Sequence, residues 1–237
     1  MTHLSVIVPT YDERESLPLL VARLREVHRR LPIEIVVVDD ASPDGTGTVA
    51  ERLAREGTVP LAVIHRARKA GLASAVLAGA AVARGEIVTV MDADLSHPPE
   101  LLVDLAAAVR AGADVAIASR YVPGGGIAHW PLRRRLVSRA ATLLARAVLG
   151  LRVRDPLSGF FAVRGALLRE GDYLGAGYKL LVEVLARHPE ARVVEIPYRF
   201  ADRVRGRSKL TGGEIVDYLR LLAALRRKGR RWNSARF

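Results

Sequence analysis

The chain has 237 residues, half of them hydrophobic and about a quarter charged, which suits one well-buried domain and excludes a disordered polymer. It contains no cysteine, so disulfides, thiolate nucleophiles and cysteine-ligated zinc or iron–sulfur centres are excluded. The net charge of +12 is uneven: residues 1–119 hold 12 Lys/Arg against 16 Asp/Glu (−4), and residues 120–237 hold 25 against 9 (+16). That asymmetry points to a polyanion meeting the second half: nucleic acid, an anionic bilayer or phosphate groups.

In chain order, residues 4–8, 34–38, 61–64, 87–91 and 114–118 are short, β-branched apolar runs that read as buried strands. Helix-length segments near 16–30, 46–56, 70–84 and 98–111 lie between or beside them. This alternation predicts an α/β fold, a mostly parallel sheet with helices on both faces, whose ligands bind at the carboxyl ends of the strands. The second half is less regular. A Gly124-Gly125-Gly126 loop leads through His129-Trp130-Pro131 to a basic helical segment at about 132–149. A strand near 159–164, a helix near 177–188, a strand at 192–196, a basic loop at 199–209 and a helix from about 212 to 228 complete it. No repeat or low-complexity linker divides the chain, so a single domain over 1–237 is expected. No signal-peptide pattern is visible in Met1-Thr2-His3 ahead of the first apolar run, so none is expected. The longest uncharged stretch, Ala70 to Ala83, is too short for the roughly 20 residues that span a bilayer.

Two strand ends carry acids. In Met91-Asp92-Ala93-Asp94-Leu95-Ser96-His97-Pro98-Pro99 two carboxylates fall on the same side if the chain stays extended beyond the strand, with Ser96 continuing the series. Mg²⁺ or Mn²⁺ takes such a set, with water and substrate phosphates completing its shell. Helix capping would account for one aspartate but not for both. The second strand end, Val38-Asp39-Asp40-Ala41-Ser42-Pro43-Asp44-Gly45-Thr46, combines turn chemistry at 42–46 with Asp39, which could accept hydrogen bonds from a ribose or base. Neither G-x-G-x-x-G after the first strand nor G-x-x-x-x-G-K-[ST] occurs, so phosphates must be held some other way.

Seven segments in order, VIVPTYDERESLP, VVVDDASPDGT, RKAGLASAV, MDADLSHPPE, ASRYVPGGG…WPLRRRLVSR, DPLSGFFAVR and RVRGRSKLTGGEI, resemble the polyprenol (dolichol) phosphate mannose synthase branch of the inverting GT-A glycosyltransferases. The resemblance implies a GT-A (Rossmann-like) fold, with residues 1–119 binding the nucleotide sugar and 120–237 facing acceptor and membrane. It also implies GDP-mannose as donor, Mg²⁺ or Mn²⁺ as cofactor and a polyprenyl or dolichyl phosphate as acceptor. Position by position, Pro9, Tyr11, Glu13 and Asp39 fall in the nucleotide pocket, and Asp92, Asp94 and Ser96 at the metal and diphosphate. Arg120 and Arg134 fall on the phosphate-binding arginines, with Ser138 beside them, and Arg203 and Lys209 on a clamp over donor and acceptor. Asp94, Arg120 and Arg134 are thereby assigned to catalysis. Ala41 stands where Gly or Asn is common, and Arg207 where Glu is common. Many members carry membrane-spanning helices not seen here, which leaves room for a separate anchoring subunit.

The segment 128–150 reads either as an amphipathic helix on an anionic membrane or as an ordinary core-facing helix. The Arg226–Trp232 run reads either as a peripheral membrane contact or as a loose end. The resulting expectation is a peripheral enzyme at the cytoplasmic face of a membrane. A UDP-sugar donor is the nearest alternative. Nucleic-acid binding is disfavoured, because no recognition motif occurs and aromatic residues are 5% of the chain.

Overall fold

The computed structural model describes residues 4–128, 130–175, 179–201 and 212–234. The first half follows the expected alternation. Strand β1 (Leu4–Thr10) is followed by α1 (Leu17–His28), β2 (Ile33–Asp39), α2 (Thr46–Arg55), β3 (Leu61–His65), α3 (Leu72–Val82) and β4 (Ile87–Val90). A 3₁₀ turn at Pro99–Leu101 then opens α4 (Leu102–Arg110), which leads to β5 (Val115–Ser119). The second half adds β6 (Gly126–Ile127), α5 (Leu132–Leu149), β7 (Phe161–Arg164), α6 (Gly165–Arg169), α7 (Leu180–Arg187), β8 (Val193–Pro197), β9 (Arg199–Phe200) and α8 (Gly212–Ser234).

Seven strands form one sheet in the order β3-β2-β1-β4-β7-β5-β8, and β6 pairs with β9 in a small second sheet. Every pairing in the large sheet is parallel except those of β7, which runs antiparallel between β4 and β5. Phe161 sits opposite both Val90 and Ile117, so β7 begins at the edge where its neighbours end.

Strand periodicity divides the core into two layers. On β1, Leu4, Val6 and Val8 join the layer under α1, α2 and α4, whereas Ile7 joins the layer under α3, α6 and α7. All are fully buried. Helix α3 approaches the sheet closely at Gly79, where a Cβ would lie 2.7 Å from Ile7 Cγ2. A third cluster, comprising Ala145, Leu157, Val182, Leu221, Leu222 and Leu225, fastens α5 and α8 to α7, and Tyr218 Oη donates to Ala141 O at 2.7 Å. The expected Arg226–Trp232 segment continues helix α8 rather than trailing from it. No helix among the described residues is long and apolar enough to cross a membrane.

Candidate active site

The loops leaving β1, β2 and β4 meet at one rim of the sheet, because these strands are neighbours and parallel. Each loop contains a non-glycine residue in the left-handed region: Asp12 (φ 60°), Ala41 (φ 59°) and Leu95 (φ 63°). Such conformations cost roughly 1–2 kcal/mol for an L-residue and gather where surrounding contacts over-determine the backbone. The left-handed Ala41 also explains why Gly or Asn suits that position.

At the β1 and β2 ends, carboxylates are used to build the loops. Asp39, 5% exposed, accepts from the Ser42 hydroxyl and backbone N–H and from Thr10 Oγ1. Asp40 accepts from the N–H groups of Ala70 and Gly71 (3.0 and 3.1 Å), which lead into α3, and pairs with Arg66 at 2.9 Å. Asp44 accepts from Thr46 and Arg14; burial pushes its pKa up, but these hydrogen bonds outweigh it and hold the carboxyl below its ordinary value. Residues 42–46 form the turn their sequence describes. Glu13 accepts from Ser16 Oγ, and its N–H donates to Thr46 Oγ1 at 3.0 Å. Lys69 Nζ stands 3.4 Å from the centroid of the Tyr11 ring, and Pro9 is the penultimate residue of β1.

The β4 end is built differently. The strand stops at Val90 and the chain turns through Asp92–Leu95, so the two aspartates do not lie along one extended face as their spacing suggested. Asp94 is buried and accepts from Ser96 N at 3.0 Å, an Asx turn closed by the left-handed Leu95. The Asp92 carboxyl is 31% exposed. Ser96 Oγ is buried without a hydrogen-bond partner. His97, 2% exposed, accepts from Asp92 N through Nδ1 at 3.2 Å and stacks on Phe160 with centroids 5.0 Å apart. A Cβ on Gly159 would stand 3.3 Å from Asp92 Oδ2, so the small residue leaves room against that carboxylate.

These donors fit a hard divalent cation: two carboxylates, one reaching solvent, beside an orphaned buried hydroxyl oxygen. Among the described residues no third His, Asp or Glu completes a protein-only cage.

A chain of rings connects this end to the basic half. His97 lies 5.9 Å from Phe200, Phe200 lies 5.2 Å from Trp130, and the Arg134 guanidinium sits 3.9 Å over the Trp130 ring. Arg120 is enclosed by the same rings, 6.0 Å from both Trp130 and Phe200. Its side chain is 8% exposed and grips Asp155 bidentately, Nε to Oδ2 at 2.8 Å and Nη2 to Oδ1 at 2.7 Å. Burial works against the charged guanidinium, but Asp155 outweighs it and pushes the pKa above its ordinary value. Tyr198, buried against the same cluster, is pushed up by burial despite Arg120. Ser138 Oγ and Tyr121 Oη are hydrogen-bonded at 2.8 Å.

The structure thus brings Asp92, Asp94, Ser96, Arg120 and Arg134 around one aromatic wall, with Arg120 committed to an ion pair rather than held as an open cation. Arg203 and Lys209 lie outside the described residues. Sequence reasoning missed Asp155 as the partner of Arg120 and Lys69 as the partner of Tyr11. The only available signal for Asp155 was its place at the head of DPLSGFFAVR, since its partner is 35 positions away.

A family model for glycosyl transferase family 2 matches residues 5–171. A dolichol-phosphate mannosyltransferase from Pyrococcus furiosus is 45% identical over 218 residues, covering 91% of this chain and 61% of the relative; the chain thus spans less than two-thirds of that protein. A polyprenol monophosphomannose synthase from Mycolicibacterium smegmatis is 44% identical over 234 residues, covering 95% and 87% of the two chains. Among solved structures, glucosyl-3-phosphoglycerate synthase from Mycobacterium tuberculosis, crystallised with Mn²⁺, UDP-glucose and phosphoglyceric acid, aligns with a TM-score of 0.70. That alignment covers 96% of this chain and 79% of the synthase, and at 20% identity it supports the fold alone.

Proposed function

Because the chain belongs to glycosyl transferase family 2, we propose that it transfers mannose from GDP-mannose to a polyprenyl or dolichyl phosphate at the cytoplasmic surface of a membrane. The observation that carries this reading is the meeting, across one aromatic wall, of the Asp92/Asp94 pair and the Arg120/Arg134 pair. An acidic pair suits the cation of a nucleotide-sugar donor, and an arginine pair suits a phosphate acceptor. The names of the 44–45% identical relatives support the mannosyl donor and the lipid acceptor.

Asp92, Asp94 and Ser96 would hold Mg²⁺ or Mn²⁺, whose chemistry there is charge neutralisation on the departing nucleoside diphosphate. Pro9, Tyr11, Glu13 and Asp39 line the nucleotide side. A phosphate monoester has a second pKa of about 6, so the acceptor is already largely dianionic at neutral pH and needs little general-base help. One acceptor oxygen attacks the anomeric carbon as the bond from that carbon to the diphosphate oxygen breaks. The electron pair leaves with the nucleoside diphosphate, and a single displacement inverts the configuration. Arg134, steadied over Trp130, binds and orients the acceptor phosphate beside Ser138. Arg120 and Asp155 brace that wall, and the uncommitted Nη1 of Arg120 is the donor it offers to an anion. Arg203 and Lys209 are proposed to close over donor and acceptor.

Leu132, Leu136 and Leu143 are exposed on α5, and Ile215, Val216 and Leu219 on α8; both faces support peripheral attachment, alone or through a membrane-anchoring subunit. The test is transfer of labelled sugar from GDP-mannose, UDP-glucose and UDP-N-acetylglucosamine to polyprenyl phosphate, with and without Mn²⁺. Metal-dependent lipid product from GDP-mannose alone is expected. Product from a UDP-sugar would change the donor, and no product from any donor with folded protein would overturn the reading.

A further inference from the structure

A groove of about 480 Å³ runs along α5, lined by Tyr121, Arg139, Thr142, Leu143, Arg146 and Arg154. None of the strand-end acids lines it. Three arginines converge there, yet none of their side chains forms an ion pair or hydrogen bond among the described residues. Glu195 lies close to Arg154 but spends its two carboxylate oxygens on the backbone N–H groups of Arg154 and Asp155. Three like charges lining one groove without an acidic side-chain partner repel one another, so the grouping needs a reason.

Thr142 supplies an independent one. It is 4% exposed, lines the groove, and its Oγ1 is buried without a hydrogen-bond partner. A helical threonine ordinarily returns its hydroxyl to the carbonyl four residues back, and this one does not. Arg146 Nε is buried and unpartnered beside it. Guanidinium forks with an idle hydroxyl form a donor set for an anion with several oxygens, and phosphate geometry fits them best. Apolar surface adjoins the groove. Leu143 at its edge is 60% exposed, and Leu132 and Leu136 fall on the same helical face at the i, i+4, i+11 spacing.

We propose that this groove binds the phosphodiester headgroup of an anionic membrane lipid, as a second phosphate site separate from the acceptor site at Arg134. The lipid's hydrocarbon lies against the exposed leucines of α5. Tyr121, which lines the groove and hydrogen-bonds Ser138, stands between the two phosphate positions. The site orients α5 on the bilayer so that the acceptor reaches the wall from the membrane side. The inference rests on membrane-surface attachment but not on which sugar is transferred.

The experiment is co-sedimentation with phosphatidylcholine vesicles with and without phosphatidylglycerol. Removing three positive charges anywhere weakens attraction to an anionic surface, so the R139Q/R146Q/R154Q variant is compared with R30Q/R55Q/R110Q, which loses the same charge from exposed positions elsewhere. The groove variant should lose roughly tenfold to a hundredfold in phosphatidylglycerol-dependent binding, and the control much less. Turnover of a short-chain polyprenyl phosphate in detergent should stay near wild type in both, which separates failure here from failure of the transfer reading. Thr142→Val keeps the side-chain shape and should weaken the same binding without lowering the melting temperature, so it serves if the triple variant does not fold. Equal losses in the two triple variants would overturn the proposal. So would phosphatidylglycerol-independent binding of the wild type, or release from vesicles by millimolar inorganic phosphate, which would mark a soluble-anion site.

Discussion

Strands β2 and β4 each end in two aspartates, yet the two ends use them differently. After β2 the acids are adjacent in sequence and diverge: Asp39 is taken up by Thr10 and Ser42, Asp40 by Arg66 and the backbone entering α3. After β4 one residue separates them. Asp94 closes a tight turn, Asp92 stays partly open, and the buried Ser96 hydroxyl is left without a partner. An acid at a strand end is therefore a weak sign of chemistry. What separates the β4 end is the buried Ser96 hydroxyl, which has no hydrogen-bond partner among the described residues and sits beside carboxylates of which one reaches solvent.

The sharpest way to break this comparison is to neutralise one acid at each end. Asp94→Asn should lower sugar transfer by about 10³-fold or more, measured with labelled GDP-mannose at saturating Mn²⁺. Asp40→Asn should leave turnover within a few-fold but weaken a charge-assisted network, costing about 1.5–3 kcal/mol and lowering the melting temperature by roughly 3–12 °C. Transfer lost in Asp40→Asn at an unchanged melting temperature would reverse the two roles.

A second comparison sets Arg120 against Arg134. Asp155→Asn strands a buried guanidinium and should cost about 3–5 kcal/mol, seen in thermal unfolding, whereas Arg134→Ala should barely move the transition and should raise the KM for lipid phosphate. The apolar double variant R120M/D155L should recover most of that stability. If Asp155→Asn melts like the wild type, the ion pair is not what holds the wall.

Smaller effects concern the opposite end of the sheet and the loop strain. Burial raises the pKa of Glu34, but hydrogen bonds from Ser5 and Arg84 and the Arg84 charge outweigh it, leaving a net shift below the ordinary 4.5. With a depressed folded value, its contribution is complete above pH 4.5 and is lost as pH falls through the lowered value. Glu34→Gln should accordingly flatten the acid side of the stability profile and leave the neutral side parallel to wild type. Ala41→Gly relieves a left-handed alanine and should raise stability by about 1 kcal/mol in denaturant titrations, without altering transfer.

The first half of the fold was legible because its strands are β-branched runs separated by helix-length segments, as at Ile35–Val38 and Ile87–Val90. The basic helix at 132–149 was equally plain. The direction of β7 was not, since Phe161–Arg164 is apolar whichever way it runs. β6 and β9, at two residues each, are too short to show a period. At the site, the acids and arginines stand out as residue types, but what they touch depends on distant positions. The Arg120–Asp155 pair and the ring path from His97 to Trp130 exist only once the chain is folded.

The reversed strand β7 also bears on how the chain can assemble. β5 leaves the sheet at Ser119 and β7 returns at Phe161 on the same edge, so residues 120–160, α5 included, form an excursion pinned at both ends to one rim. The gap between β4 and β5 is filled only when that excursion loops back, so the β4–β7 pairing joins segments about 70 positions apart and carries the entropy cost of closing a long loop. The same wiring makes the excursion the natural place for new termini. A circular permutant opened between α5 and β7, beyond the β6–β9 pairing, would keep every strand pairing while freeing α5 from its chain connection to β7.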